Sequence, residues 1–250
     1  MSGHSKWASI KHKKGANDAK RGAAFTRIIR EITSAAKDGG GNPDTNPRLR
    51  TAIQRAREIN MPSNNVENAI KKGTGELPGV SYESVIFEAY APGGVALLIE
   101  GLTDNKNRTT AEVRNILNKR NGSLAGAGST AWMFSKKGYI SVEKDKISEE
   151  ELMDIALAAG AEDFKSDDES YYEIICESAA FEAVKTAVQA KKIPTVACEI
   201  TMLPSSKVKV EGTDVKGVLA LLESLEEQED VQAVHANFDI SEKDLEQANE

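Results

Sequence analysis

The chain is poor in the residues that most enzymes and secreted proteins depend on. Its 250 residues include two cysteines and three histidines. Cys176 and Cys198 form no CxxC pair, and each sits in an apolar, strand-like run. That pattern predicts two reduced core thiols, not a disulfide framework or a zinc ribbon. His4, His12 and His235 are scattered and lack HExxH spacing, so no metal is expected. No stretch approaches the roughly 18 apolar residues of a membrane helix. The N-terminus is basic but has no apolar core like that of a secretory signal, and it runs straight into a patterned helix. The expectation is a cytoplasmic protein with no membrane partner.

Catalytic signatures are equally scarce. There is no GxxxxGK[ST] phosphate loop. Residues 126–131, Gly-Ala-Gly-Ser-Thr-Ala, fit the letters of GxGxxG/A. The dinucleotide fingerprint needs a strand before it and a helix after it, and here the order is reversed. The acidic runs Glu149–Glu151, Asp167–Glu169 and Glu226–Asp230 are read as helix-start charges or solvated faces. None is paired with a nucleophile, so no catalytic residue, cofactor or small-molecule substrate is expected.

Charge is abundant and unevenly placed. The net charge is −7, yet residues 1–73 carry 15 Lys and Arg against 6 Asp and Glu, a net of +9. The remainder carries 17 against 33, a net of −16. Such asymmetry points to a polyanion-binding head on an acidic body. The body would repel nucleic acid and so orient the head towards it.

Residues 1–16 show no sustained period and predict an extended arm, with Lys6, Lys11, Lys13 and Lys14 around Trp7. Trp7 is suited to stacking on an unpaired base or to folding onto its own domain. A helix follows over about Asp18–Lys37. Phe25, Ile28, Ile29, Ile32 and Ala35 make its apolar face, with Lys20, Arg27, Arg30 and Lys37 opposite. Asn46 and Pro47 open a second helix, whose stripe of Leu49, Ala52, Ile53, Ala56 and Ile59 is flanked by Arg48 and Arg55 on one edge and Arg50 and Arg57 on the other. A third helix is predicted from a Ser63 cap to Lys72, carrying Lys71 and Lys72 and stopped by Gly73. These cations are the candidate nucleic-acid contacts, because Lys and Arg neutralise phosphates whatever the sequence. The Gly/Pro-rich connection after the first helix is unlike a tight helix-turn-helix, so no recognition helix is assigned.

Beyond the linker at residues 73–79 the period changes. Val85–Ala91 and Val95–Gly101 predict a hairpin around Pro92-Gly93-Gly94. Thr109 and Glu112 form a capping box for a helix to about Arg120. Asn105, Asn107 and Arg108, in the loop before it, are a possible secondary site with donors for a phosphate; the competing reading is a polar turn that satisfies its own backbone. Residues 131–204 read as β-α-β-β-α-β, the ferredoxin-like pattern. A strand at Lys207–Glu211, a helix at Val215–Leu225 and a strand at Val231–Phe238 then complete the earlier β-β-α piece. The predicted class is α+β: a three-helix domain (1–79), a discontinuous middle domain (80–130 and 205–240) and an inserted domain (131–204). The tail from Ser241 is polar and is expected to fray or form a loose helix.

The opening MSGHSKWASIKHKK resembles that of the YebC/PmpR family of bacterial regulators. The likeness continues through Asn46-Pro47-Arg48-Leu49-Arg50, Met61-Pro62, residues 69–73 (AIKKG), residues 90–94 (YAPGG) and residues 103–109 (TDNKNRT), in order and over nearly the whole chain. Near the C-terminus the family's Asp-Asp-Val-Gln-Asn-Val-Tyr is only partly kept, as Glu229-Asp230-Val231-Gln232-Ala233-Val234-His235. The resemblance implies three domains around a central cavity, no known catalysis, and a nucleic-acid partner. Bacterial members are described as DNA-binding transcriptional regulators. A mitochondrial relative is a translational activator of cytochrome c oxidase, and some bacterial relatives resemble ribosome-associated factors that assist proline-rich translation. DNA, RNA and the ribosome are thus all expected partners.

Overall fold

A computed structural model describes residues 18–168, 170–241 and Asp244, with side chains from Gly22 onward. The N-terminal arm, the Lys20 side chain and most of the polar tail lie outside the described residues.

Three helices open the structure: α1 (Asp18–Gly39), α2 (Pro47–Glu58) and α3 (Ser63–Thr74). Ile32, Ala35, Ala36, Leu49, Ala52, Ala56, Met61 and Ala69 make their shared core, with Phe25, Ile28 and Ile29 packed against it. Asn46 organises the first corner. Its Oδ1 accepts the Leu49 N–H at 3.1 Å, and its Nδ2 donates to the carbonyls of Ala35 and Gly40 at 2.7 and 2.9 Å. One buried side chain therefore caps α2 and ties off α1.

The end of α3 differs from expectation. Pro62, not Ser63, holds the cap position, and no side chain caps the helix. The left-handed stop is Gly75, at φ +83°. Gly73 lies inside the helix, where a Cβ would stand 2.4 Å from the Thr33 carbonyl oxygen and 2.8 Å from the Ala36 Cβ. It serves close approach of α1 and α3, not termination.

The middle sheet has the order β3-β1-β2-β9, from β1 (Glu83–Tyr90), β2 (Ala96–Thr103), β3 (Ser123–Leu124) and β9 (Val231–Ala236). The β1–β2 hairpin turns through Gly93 and Gly94, both at positive φ. Val85, Phe87, Ala89, Leu97 and Ile99 alternate onto one face, where α4 (Lys106–Lys119) and α7 (Thr213–Glu227) cover them with Val113, Leu117, Val218, Leu221, Leu222 and Leu225. The helix α4 begins earlier than the capping box implied. Asn105 is its cap, and Thr109 is buried within its first turns.

The strand expected at Lys207–Glu211 also needs correcting. It is β8 (Val208–Lys209), and it pairs in parallel with β10 (Phe238–Asp239) in a separate ladder. The chain leaves the main sheet at Asn237, whose side chain accepts the Ala96 N–H at 2.7 Å, so a side chain ends the β2–β9 pairing.

The inserted unit runs β4 (Phe134–Glu143), α5 (Glu149–Ala158), β5 (Asp163–Lys165), β6 (Tyr171–Glu177), α6 (Phe181–Ala190) and β7 (Ala197–Pro204). Its strand order β5-β6-β4-β7, antiparallel throughout, is the ferredoxin-like arrangement. Ile140, Val142, Leu152, Ile174, Val184 and Val188 form its core. Cys176 and Cys198 pack there as free thiols, and burial pushes both thiols up. The chain is thus α+β, with the inserted unit between the two sequence segments of the middle sheet.

The glycine-rich stretch before β4 does form an anion cradle, and Glu88 fills it. Gly128, Thr130 and Ala131 donate backbone N–H groups to its carboxylate at 2.6, 2.5 and 2.7 Å. Burial works against the charge, and these bonds outweigh it, holding the carboxyl below its usual range. The contact anchors the entry to the inserted unit on β1.

Candidate nucleic-acid interface

The fold sorts the predicted cations by whether it already uses their charge. Arg30 is buried at 8 % exposure. Its guanidinium donates to the Asp230 carboxylate and, at 2.6 Å, to the Glu229 carbonyl, and it lies 5.6 Å from the Tyr82 ring centroid. Asp230 is itself 1 % exposed. Its Oδ2 also meets Thr109 Oγ1 at 2.6 Å, Arg108 Nη2 at 2.9 Å and Thr103 Oγ1 at 3.3 Å. Burial would raise this carboxyl, and the Thr109 and Arg108 bonds with the Arg30 charge hold it below the ordinary carboxylate range.

Two expectations change here. Arg27 and Arg30 do not form an outward face. Arg27 is half-buried beside Glu226 and Glu227 of α7, and burial lowers its guanidinium from the ordinary value despite them. The run Glu226–Asp230 is not wholly a solvated face either, because Asp230 is a buried hub between α1 and the middle sheet. The physical reason is complementarity: the body's acidic edge supplies the counter-charge for one side of the head.

Arg48 is spent locally, on Glu31 at 2.8 Å and Asp38 at 2.7 Å, bracing α1 against α2. In the secondary loop, the Asn105 side chain accepts the Arg108 N–H at 3.1 Å, and Arg108 pairs with Asp104 at 2.7 Å as well as with Asp230. Those two residues satisfy their own fold, while Asn107 is exposed.

The remaining predicted cations are Lys37, Arg50, Arg55, Arg57, Lys71 and Lys72. All are exposed, and none has a carboxylate within 4 Å among the described residues. Most sit in last helical turns, where positive charge also suits the dipole. Sequence reasoning missed Lys106, Arg114, Lys119 and Arg120 on and beside α4, which are exposed and equally free of carboxylates among the described residues. The body's large net negative charge hid them. Lys6, Trp7, Lys11, Lys13, Lys14 and the Lys20 side chain lie outside the described residues.

No cluster of three or more His, Cys, Asp or Glu among the described residues could hold a metal ion. No helix among them is long and apolar enough to cross a membrane.

A three-helix unit carrying surplus cations, joined to two α+β units, defines a recognisable class. Residues 5–76 match the TACO1/YebC protein N-terminal domain, and residues 82–238 match the TACO1/YebC second and third domain. The chain belongs to the TACO1/YebC family. It is 53 % identical over 246 residues to a "probable transcriptional regulatory protein" of Geobacter sulfurreducens, covering 98 % of this chain and 99 % of that one. It is 54 % identical over 251 residues to a protein of the same description from Desulfotalea psychrophila, covering both chains completely. The crystal structure of a conserved hypothetical protein from Aquifex aeolicus superposes with a TM-score of 0.77 at 46 % identity, covering 90 % of this chain and 93 % of that one.

Proposed function

We propose that this protein is a non-enzymatic, cytoplasmic regulator of gene expression that binds nucleic acid through its basic head, residues 1–79. The acidic body, residues 80–130 with 205–240 and the inserted 131–204, orients it. The observation that carries this reading is the set of six exposed head cations that the described fold leaves without counter-charge. Cations already paired add little to phosphate binding; unpaired ones release counterions from the polyanion. The names of the curated relatives support transcriptional regulation, and binding to DNA is the first form of the reading.

The second form is a ribosome- or RNA-associated translation factor. One feature favours it: α2 and α3 both pack against α1, and the cations are spread over both helices and the end of α1. That layout suits backbone and shape recognition better than base reading by one groove-bound helix.

Sedimentation with ribosomes, set against retention of promoter DNA over one salt series, separates the two. Sequence-selective DNA retention selects the transcriptional form. Ribosome co-sedimentation at moderate salt, with weak and sequence-blind DNA binding, selects the translational one. Absence of salt-sensitive binding to either polymer overturns both.

A further inference from the structure

A small cavity of about 180 Å³ lies where α1, α3 and the segment leading into β1 meet. Lys37, Lys72, Ser81 and Tyr82 line it, with Thr33, Ser34 and the apolar Val80. Two close approaches build it. Gly73 lets α3 sit against the Thr33 carbonyl, which brings the last turns of both helices, with Lys37 and Lys72, to one opening. Gly79 lies against the Lys72 stem, where a Cβ would be 3.0 Å from the Lys72 Cβ, so the linker closes the third wall.

The charged part of the lining is of one sign. Lys37 Nζ donates to Ser81 Oγ at 2.5 Å, which directs the ammonium towards the linker wall. Neither Lys37 nor Lys72 meets a carboxylate among the described residues. The Ser81 hydroxyl adds a donor beside them, while Ser34 Oγ is taken by Arg48 at 3.2 Å. Tyr82 forms one wall, with the Arg30 guanidinium against its ring. The two helix ends oppose an anion with about half a negative charge each, and the two full ammonium charges exceed that. The space is well above the roughly 10–15 Å³ that one water needs, so a phosphate group has room to enter.

We propose that this cavity is a phosphate-binding subsite in which Lys37 and Lys72 clamp one phosphate group and Ser81 donates to it. The inference deepens the nucleic-acid reading and rests on it: the group is either a phosphodiester of a bound strand or a free phosphate. Lys71, beside Lys72 in the last turn of α3, holds a neighbouring phosphate in the first case.

The test uses the full chain and a Lys37→Gln, Lys72→Gln double variant, with inorganic phosphate and a single-stranded oligonucleotide as probes. Amide NMR signals of Ser81 and Tyr82 should shift on addition of phosphate in the parent protein and stay still in the variant. Oligonucleotide binding by the variant should lose about 1.4 from its log–log salt slope if both ammoniums contact the strand, at roughly 0.7 per contact. A phosphate shift with an unchanged slope assigns the pocket to free phosphate. No shift and no slope change, in a protein whose oligonucleotide binding persists, overturns the subsite while leaving the head reading intact. Absence of salt-sensitive binding by the parent protein to the oligonucleotide, duplex DNA and ribosomes alike overturns the head reading instead. If the double variant does not fold, the two single variants, each expected to lose about 0.7, give the same comparison.

Discussion

Replacing Asp230 with alanine is expected to destabilise the protein by about 3–5 kcal/mol. The change removes the counter-charge of a buried arginine, Arg30, and the shared acceptor of Thr103, Thr109 and Arg108 in one step. A surface pair would contribute about 1 kcal/mol or less, but Asp230 is 1 % exposed and the Arg30 side chain 10 %. Chemical denaturation measures the loss as a lower midpoint. A double-mutant cycle with Arg30→Ala should show strong coupling, because the two residues share one interaction. The pH dependence has a definite sign. The folded Asp230 carboxyl is held below its unfolded value, so its contribution is complete above about pH 4 and is lost as the pH falls through the folded value. The difference between parent and variant should therefore narrow in acid. A loss below about 1 kcal/mol would mean that the bridge acts as an ordinary surface pair.

The second large effect is on binding. Replacing Arg50, Arg57, Lys71 and Lys72 together with glutamate should make the log–log salt slope on duplex DNA shallower by about 3.6, at roughly 0.9 per lost phosphate contact. All four side chains are exposed, so the core of the helical unit is untouched. At Arg57, Lys71 and Lys72, which lie in last helical turns, new carboxylates oppose the dipole by about 0.3–1 kcal/mol each, and a fourfold glutamine version avoids that term. Arg48→Gln is the informative control. Its charge is already engaged by Glu31 and Asp38, so its slope should match that of the parent. A control that fell as far as the fourfold variant would show that pairing within the fold does not decide which cations bind.

What could be read from the chain alone followed from short-range periodicity. The apolar stripe on α1, the Asn46-Pro47 entry to α2, the alternation in β1 and β2 and the βαββαβ order all reflect neighbours within a few residues. The misread details depend on partners far away. Gly73 looks like a helix stop until the Thr33 carbonyl is found against it. Thr109 looks like a cap until its hydroxyl is found on Asp230, 121 residues later. Arg30 has the helical position of an outward cation, and its carboxylate partner lies 200 residues downstream. Charge sums located the head, but they averaged over cations with very different fates. The same averaging concealed Lys106, Arg114, Lys119 and Arg120 on the acidic body.

The head-and-body division is most directly tested by a chain that begins at Val80. The middle and inserted units have their own cores, so this chain should unfold cooperatively. Its binding to duplex DNA, RNA and ribosomes, followed over a salt series beside the full chain, is the measurement. The expected result is a folded protein without salt-dependent binding to any of the three. Full affinity with an undiminished salt slope would contradict the account and move the interface to the exposed cations around α4.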